Sequence, residues 1–175
     1  MVLMVVDTQN VIVTPALFHY ELFVKNVKSL IETARLSETE VIYVQHDDGP
    51  GSELTEGLEG YAIYEEFTPR PNEKIFKKKV NSAFQDTGLV AYLENKGEKQ
   101  VMIVGLQTDY CIDATIKAGF EHHFEMIVPA YCNTTLDNEF MSGEASYHYY
   151  NEKMWNGRYA KCIPFEEAIN LISGK

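Results

Sequence analysis

Four short apolar runs, Val2–Val6, Val41–Val44, Val101–Val104 and Met126–Val128, constrain this chain more than any other feature. Each is rich in β-branched residues and continuous rather than alternating. That is the pattern of a strand covered on both faces, as in a parallel sheet. Between the first two, Phe23, Val27, Leu30, Ile31 and Ala34 share one face of a helix predicted over Glu21–Leu36. Glu73–Phe76 reads as a further short strand. After Thr87, a plausible N-cap, a helix is predicted that closes near Asn95 and Gly97. Helices are also predicted from Cys111 to about Phe120 and from Ser142 to Trp155, the latter stopped by Asn156 and Gly157. Ala160–Ile163 reads as a last strand, and Pro164 suits the first turn of a terminal helix.

This alternation predicts a three-layer α/β/α fold with a mainly parallel, doubly wound sheet and right-handed crossovers. With 175 residues, 45% of them hydrophobic, the chain suits a single domain over residues 1–175. Ligands in such folds bind beyond the carboxyl ends of the strands. Asp7, the segment Gln45–Asp47 and the turn before Cys111 all follow predicted strand ends and are expected at one rim. Residues 52–71 show no sustained period and are expected to form an excursion loop with a short helical turn, a candidate lid.

Charge narrows the partners. The chain has 26 acidic against 15 basic residues and a net charge of −11, which disfavours nucleic acid and anionic membrane surfaces. Small molecules and other protein chains are the expected partners. Cys111, Cys132 and Cys162 have neither zinc-knuckle nor C-x-x-C spacing, which fits a reducing cytosol. MVLMVV lacks the features of a signal peptide, and no apolar run approaches the roughly 20 residues needed to span a bilayer. A cytoplasmic location is expected.

The stretch VMIVGLQTDYC, Val101 to Cys111, ends a strand in a polar turn and places a cysteine where a helix begins. Free N–H groups and the helix dipole are expected to make a thiol there ionise more readily than a free one of pKa about 8.5. A lone cysteine is more often a core residue than a nucleophile. Asp7 reads equally as a base or as a cap for the following loop. Cys132 and Cys162 have no recognisable base and read as structural.

Taken together, three motifs resemble the isochorismatase-like cysteine hydrolases, which include nicotinamidases and other amidohydrolases. They are the strand-to-Asp7 opening with Gln9, the K-x-x-x-S-A-F segment ending in Ser82, Ala83 and Phe84, and the G-x-x-T-x-x-C turn continuing as IDATIKAGF. Counting back four residues from Ser82 selects Lys78. Lys77 and Lys79 are then flanking surface charges. The resemblance implies a catalytic triad of Asp7, Lys78 and Cys111. It also implies a cis peptide bond between Leu106 and Gln107, and an oxyanion hole from the N–H groups of Gln107 and Cys111. Gln9, Phe18, His46 and Tyr110 are candidate substrate-binding residues by position. The implied activity is cleavage of a C–N bond in a small amide through a thioester. Vinyl-ether hydrolysis of the isochorismatase type and a non-catalytic binding role are the alternatives.

Nicotinamidases of the family carry a metal on an Asp-x-His-x-x-His pattern, whereas here the segment reads QHDDGPGSEL. The second histidine is missing, so no metal is expected, and His46 beside Asp47 and Asp48 is more commonly a solvated or substrate-facing group. No organic cofactor is expected either, because a phosphate-cradling glycine loop and a C-x-x-C pair are both lacking. The family commonly assembles, which implies a homo-oligomer, a dimer or tetramer. The aromatic residues Tyr147, Tyr149, Tyr150 and Trp155 suit a core or a subunit interface.

Overall fold

The computed structural model describes residues 1–174. Seven parallel-paired strands form one sheet: β1 (Val2–Val6), β2 (Glu40–His46), β3 (Lys74–Lys78), β4 (Gln100–Leu106), β5 (Glu125–Pro129), β6 (Asn133–Thr134) and β7 (Lys161–Ile163). The strand order is β3-β2-β1-β4-β5-β7, and β6 pairs with β4. The helices are α1 (Tyr20–Leu36), α2 (Leu89–Asn95), α3 (Asp113–Glu121), α4 (Gly143–His148) and α5 (Phe165–Ser173). The predicted three-layer α/β architecture is present.

The sheet sorts its side chains by alternation. Leu3, Val5, Val41, Tyr43, Met102 and Val104 point to one face, where Phe23, Val27, Leu30 and Ile31 of α1 and Ala168 and Ile172 of α5 cover them. Val2, Met4, Val6, Ile42, Val44, Val101 and Ile103 point to the other, under α2, α3 and Trp155. Since each fully buried aliphatic side chain contributes about 1.5–3 kcal/mol, the central strands cannot shift register without losing both cores. No helix among the described residues is long and apolar enough to cross a membrane.

Several local readings change. β3 extends past Phe76 into the basic triplet, so that Lys78 is its last residue and is buried, while Lys77 and Lys79 are exposed. Gly88, in the left-handed conformation, occupies the N-cap position of α2; Thr87 sits one residue earlier and accepts from the Leu89 N–H. Cys111 lies in a wide π-type turn, Thr108–Ile112, that precedes α3. A second such turn, Tyr149–Trp155, continues α4. β6 has two residues, too few to show a period.

The chain leaves β1 and winds outward through β2 and β3, then returns to the other side of β1 with β4. That reversal places a crevice at the carboxyl ends of β1 and β4. Gly105 is what allows β4 to run so close. Its φ is +128°, and a Cβ there would lie 2.0 Å from the Val6 carbonyl oxygen.

Candidate active site

Four strand ends converge on the crevice. Asp7 follows β1 in the left-handed conformation (φ 53°), which aspartate tolerates better than most residues. His46 closes β2, Lys78 closes β3, and Gln107 follows β4 after a cis peptide bond to Leu106. The π-type turn then brings Cys111 back over the strand ends.

Lys78 is the hub. Its Nζ lies 2.7 Å from Asp7 Oδ2, 2.8 Å from His46 Nδ1 and 3.2 Å from Cys111 Sγ. Asp7 and Lys78 are each 2% exposed. Neither Asp7 oxygen receives a hydrogen bond of good geometry, so the contact with Lys78 is ionic and the carboxylate remains free to accept a proton. Burial pushes the Asp7 carboxyl above its ordinary value, against the pull of the Lys78 ammonium and the Cys111 thiol.

The thiol overturns an expectation. Burial and the neighbouring Asp7 carboxylate push Cys111 up to about 12, outweighing Lys78. The helix-start position therefore does not produce a standing thiolate, and any nucleophilic attack needs proton transfer at the moment of reaction. Asn81 Oδ1, 3.8 Å from the sulfur, is a further polar neighbour.

An ammonium group can only donate, so His46 Nδ1 must accept from Lys78 and Nε2 carries the ring proton. That proton points to Asp48 Oδ1, 2.8 Å away. This fixes a neutral tautomer, and the contact with Asp48 is a hydrogen bond rather than an ion pair. Burial opposes ionisation of Asp48, yet the Ser52 hydroxyl and the His46 ring hold its carboxyl below the usual range.

One oxygen of Asp7, one ring nitrogen of His46 and Cys111 Sγ lie within 4.8 Å of one another, a spacing that would suit a metal ion. Lys78 Nζ already contacts all three residues. A divalent cation there would be forced against a buried ammonium, which disfavours a metal on these three residues. Asp47 turns away and accepts from the Gly49 N–H.

A cavity of about 200 Å³ opens on this cluster, lined by Asp7, Ile12, His46, Asp48, Leu54, Asn81, Leu106, Gln107, Tyr110 and Cys111. His46 and Tyr110 thus face it. Gln9 and Phe18 do not. The Gln9 amide is buried, donating to the carbonyls of His46 and Tyr61 and accepting from the His46 N–H, which braces β2 rather than a ligand. Phe18 packs among His19, Tyr147 and His148. Asn81, Asp48, Ile12 and Leu54 went unread as pocket residues, and the signal for Asn81 was its place in the turn just after Lys78.

The segment 52–71 splits in two. Leu54 lines the cavity, whereas Tyr61 accepts from both Gln9 and Gln45, Tyr64 donates to the Thr8 carbonyl, and Phe67 is fully buried. Its second half belongs to the core. The turn bearing Cys111 is held from behind by a buried network. Thr108 donates to Asn133, whose amide exchanges hydrogen bonds with Asn151, at 2.8–3.1 Å. Trp155 Nε1 donates to Asp113 at the start of α3. Trp155 and Tyr147 are core residues, and Tyr149 is exposed.

The isochorismatase domain profile matches residues 1–151. The YddQ protein of Bacillus subtilis, itself an uncharacterised isochorismatase-family protein, is 30% identical over 173 residues, covering 90% of this chain and 92% of its own. A streptothricin hydrolase from Streptomyces noursei is 27% identical over 137 residues, 77% of this chain. The ureidoacrylate amidohydrolase RutB of Agrobacterium fabrum is 25% identical over 126 residues, 55% of this chain. This chain spans about half the length of each of these last two, 50% and 55%. The crystal structure of an isochorismatase-family hydrolase from Chromobacterium violaceum superposes with a TM-score of 0.92 at 22% identity, covering 99% of this chain and 94% of that one, and so shares the fold. On its match over residues 1–151, this chain belongs to the isochorismatase family of hydrolases.

Proposed function

We propose that this hydrolase cleaves a C–N bond of a small amide through a covalent thioester on Cys111, without a metal. One observation carries the reading: Lys78 Nζ touches both the Asp7 carboxylate and the Cys111 sulfur in a buried cluster that faces a cavity. A binding protein has no use for that arrangement, because it costs several kcal/mol of desolvation per ion.

In this mechanism Asp7 takes the thiol proton as Cys111 Sγ attacks the carbonyl carbon. Lys78 stabilises the aspartate before transfer and the developing thiolate during it. The N–H groups of Gln107 and Cys111, both residues of the cavity wall, hold the oxyanion. Asp7 then gives its proton to the leaving nitrogen as the C–N bond breaks, leaving an acyl thioester and a free amine. A water enters, loses a proton to Asp7 and attacks the thioester. Collapse releases a carboxylic acid, and the thiolate recovers the proton from Asp7. RutB is named as an amidohydrolase, which supports the choice of an amide over a vinyl ether. Tyr110 and His46 contact the substrate in this reading, and residues 1–175 act as one domain in a reducing compartment that keeps Cys111, Cys132 and Cys162 as free thiols.

Incubation with a panel of small amides, carbamates and isochorismate tests this directly, with wild type and Cys111→Ala compared and the acyl-enzyme sought by intact-protein mass spectrometry. The reading predicts amide turnover with a trapped acyl adduct on Cys111. Turnover that survives in Cys111→Ala would sink it.

A further inference from the structure

We infer that the site selects for charge: it accepts neutral or cationic substrates and rejects anionic ones, with Asp48 at the rim as the residue that rejects them. This deepens the cysteine-hydrolase reading and rests on it.

Small carboxylates need a cation or a set of free donors where they bind. Among the described residues no arginine or lysine lines the cavity, and the N–H donors of Gln107 and Cys111 in its wall are taken by the reacting carbonyl in the mechanism above. Lys78 lies behind the cavity, hydrogen-bonded to His46 and Cys111 and ion-paired with Asp7. His46 offers no charge, because its Nδ1 accepts from Lys78 and its Nε2 proton is taken by Asp48. Two carboxylates face the cavity instead. Asp7 is almost fully buried with neither oxygen hydrogen-bonded, and Asp48 is held at the rim by Ser52 and His46. The field continues outward. Across Tyr110, which is 53% exposed, lies a second recess of about 310 Å³ with Asp109 and Glu139 beside Phe140 and Tyr150. Carboxylates next to aromatic faces suit a cationic or neutral aromatic group and repel an anion. A dicarboxylate such as isochorismate would meet like charge at both recesses.

Charge-matched thiol reagents test this without a known substrate. Cys111 is alkylated in wild type by iodoacetamide and by iodoacetate, each rate being divided by that for N-acetylcysteine at the same pH. The expected normalised preference for the neutral reagent is at least about fivefold, from a like charge a few ångströms away in a partly aqueous site. Asp48→Asn should reduce that preference at least about twofold. A wild-type preference near unity, or one that Asp48→Asn leaves unchanged, overturns the inference. If Cys111 resists both reagents while the denatured protein is labelled, the nucleophile reading fails separately. Charge selection is then decided by calorimetric binding of benzamide, benzamidine and benzoate to wild type. Weaker binding of benzoate than of the other two sustains the inference, and no difference among the three overturns it.

Discussion

His46 Nδ1 lies 2.8 Å from Lys78 Nζ, and the opposite nitrogen of the same ring lies 2.8 Å from Asp48 Oδ1. One imidazole thereby ties the cavity rim to the buried lysine. His46→Gln keeps a polar side chain but cannot span both partners. We expect kcat/KM to fall about tenfold to a hundredfold, the cost of small misplacements at a reacting centre. Steady-state kinetics on an amide found in the panel would check this, and an unchanged kcat/KM would remove His46 from the positioning machinery.

Asp7 and Cys111 set the pH dependence. Because burial raises the Asp7 carboxyl, the base is protonated at pH values where an ordinary aspartate is ionised, so the acid limb of kcat/KM should inflect above 3.8. With the Cys111 thiol pushed up to about 12, no rise from thiol ionisation is expected between pH 7 and 10. Stability follows the same shift. The folded state binds the Asp7 proton more tightly than the unfolded chain, so this contribution declines as pH rises through the window above 3.8. A pH–rate profile whose acid limb lies at or below 3.8 would contradict the assignment.

Removing one ion of the buried pair should cost more than removing both. Asp7→Asn leaves the Lys78 ammonium buried without its counter-charge, and we expect a loss of about 3–5 kcal/mol together with loss of turnover. The double variant Asp7→Asn with Lys78→Met should recover part of that stability but none of the activity. Urea unfolding of wild type, Asp7→Asn, Lys78→Met and the double variant gives the coupling, and additive losses would deny that the two charges interact.

Gly105 is a packing requirement independent of catalysis. Gly105→Ala places a methyl 2.0 Å from the Val6 carbonyl at a φ of +128°. We expect a loss of at least about 3 kcal/mol or failure to fold. Thermal and denaturant midpoints close to wild type would show that the β1–β4 approach can relax.

Asn133 supports the turn from behind. Asn133→Ala leaves the Thr108 hydroxyl and Asn151 Oδ1 without their partners in the buried interior, at a cost of about 1–3 kcal/mol. Because Thr108 opens the turn that carries Cys111, kcat should fall more than KM changes. Denaturation and kinetics on the same preparation separate the two effects.

The continuous apolar runs and the helical face of α1 were legible in the sequence, because burial on both faces of a strand or along one face of a helix writes its period into neighbouring residues. Asp7, Lys78 and Cys111 carry no such period; they were singled out by the resemblance of their three motifs to one family, and that resemblance picked Lys78 from its neighbours by its spacing to Ser82. Side-chain direction at the strand ends was not legible. Gln9 and Phe18 stand close in sequence to the site yet point into the packing, while Asp48 and Asn81, in the turns just after His46 and Lys78, and Leu54 reach the cavity. The state of the Cys111 thiol was decided by tertiary structure alone. A helix start favours ionisation locally, but the burial and the Asp7 carboxylate that oppose it come from other parts of the chain, Asp7 about a hundred residues away, and at short range in a largely buried site those long-range contacts prevail.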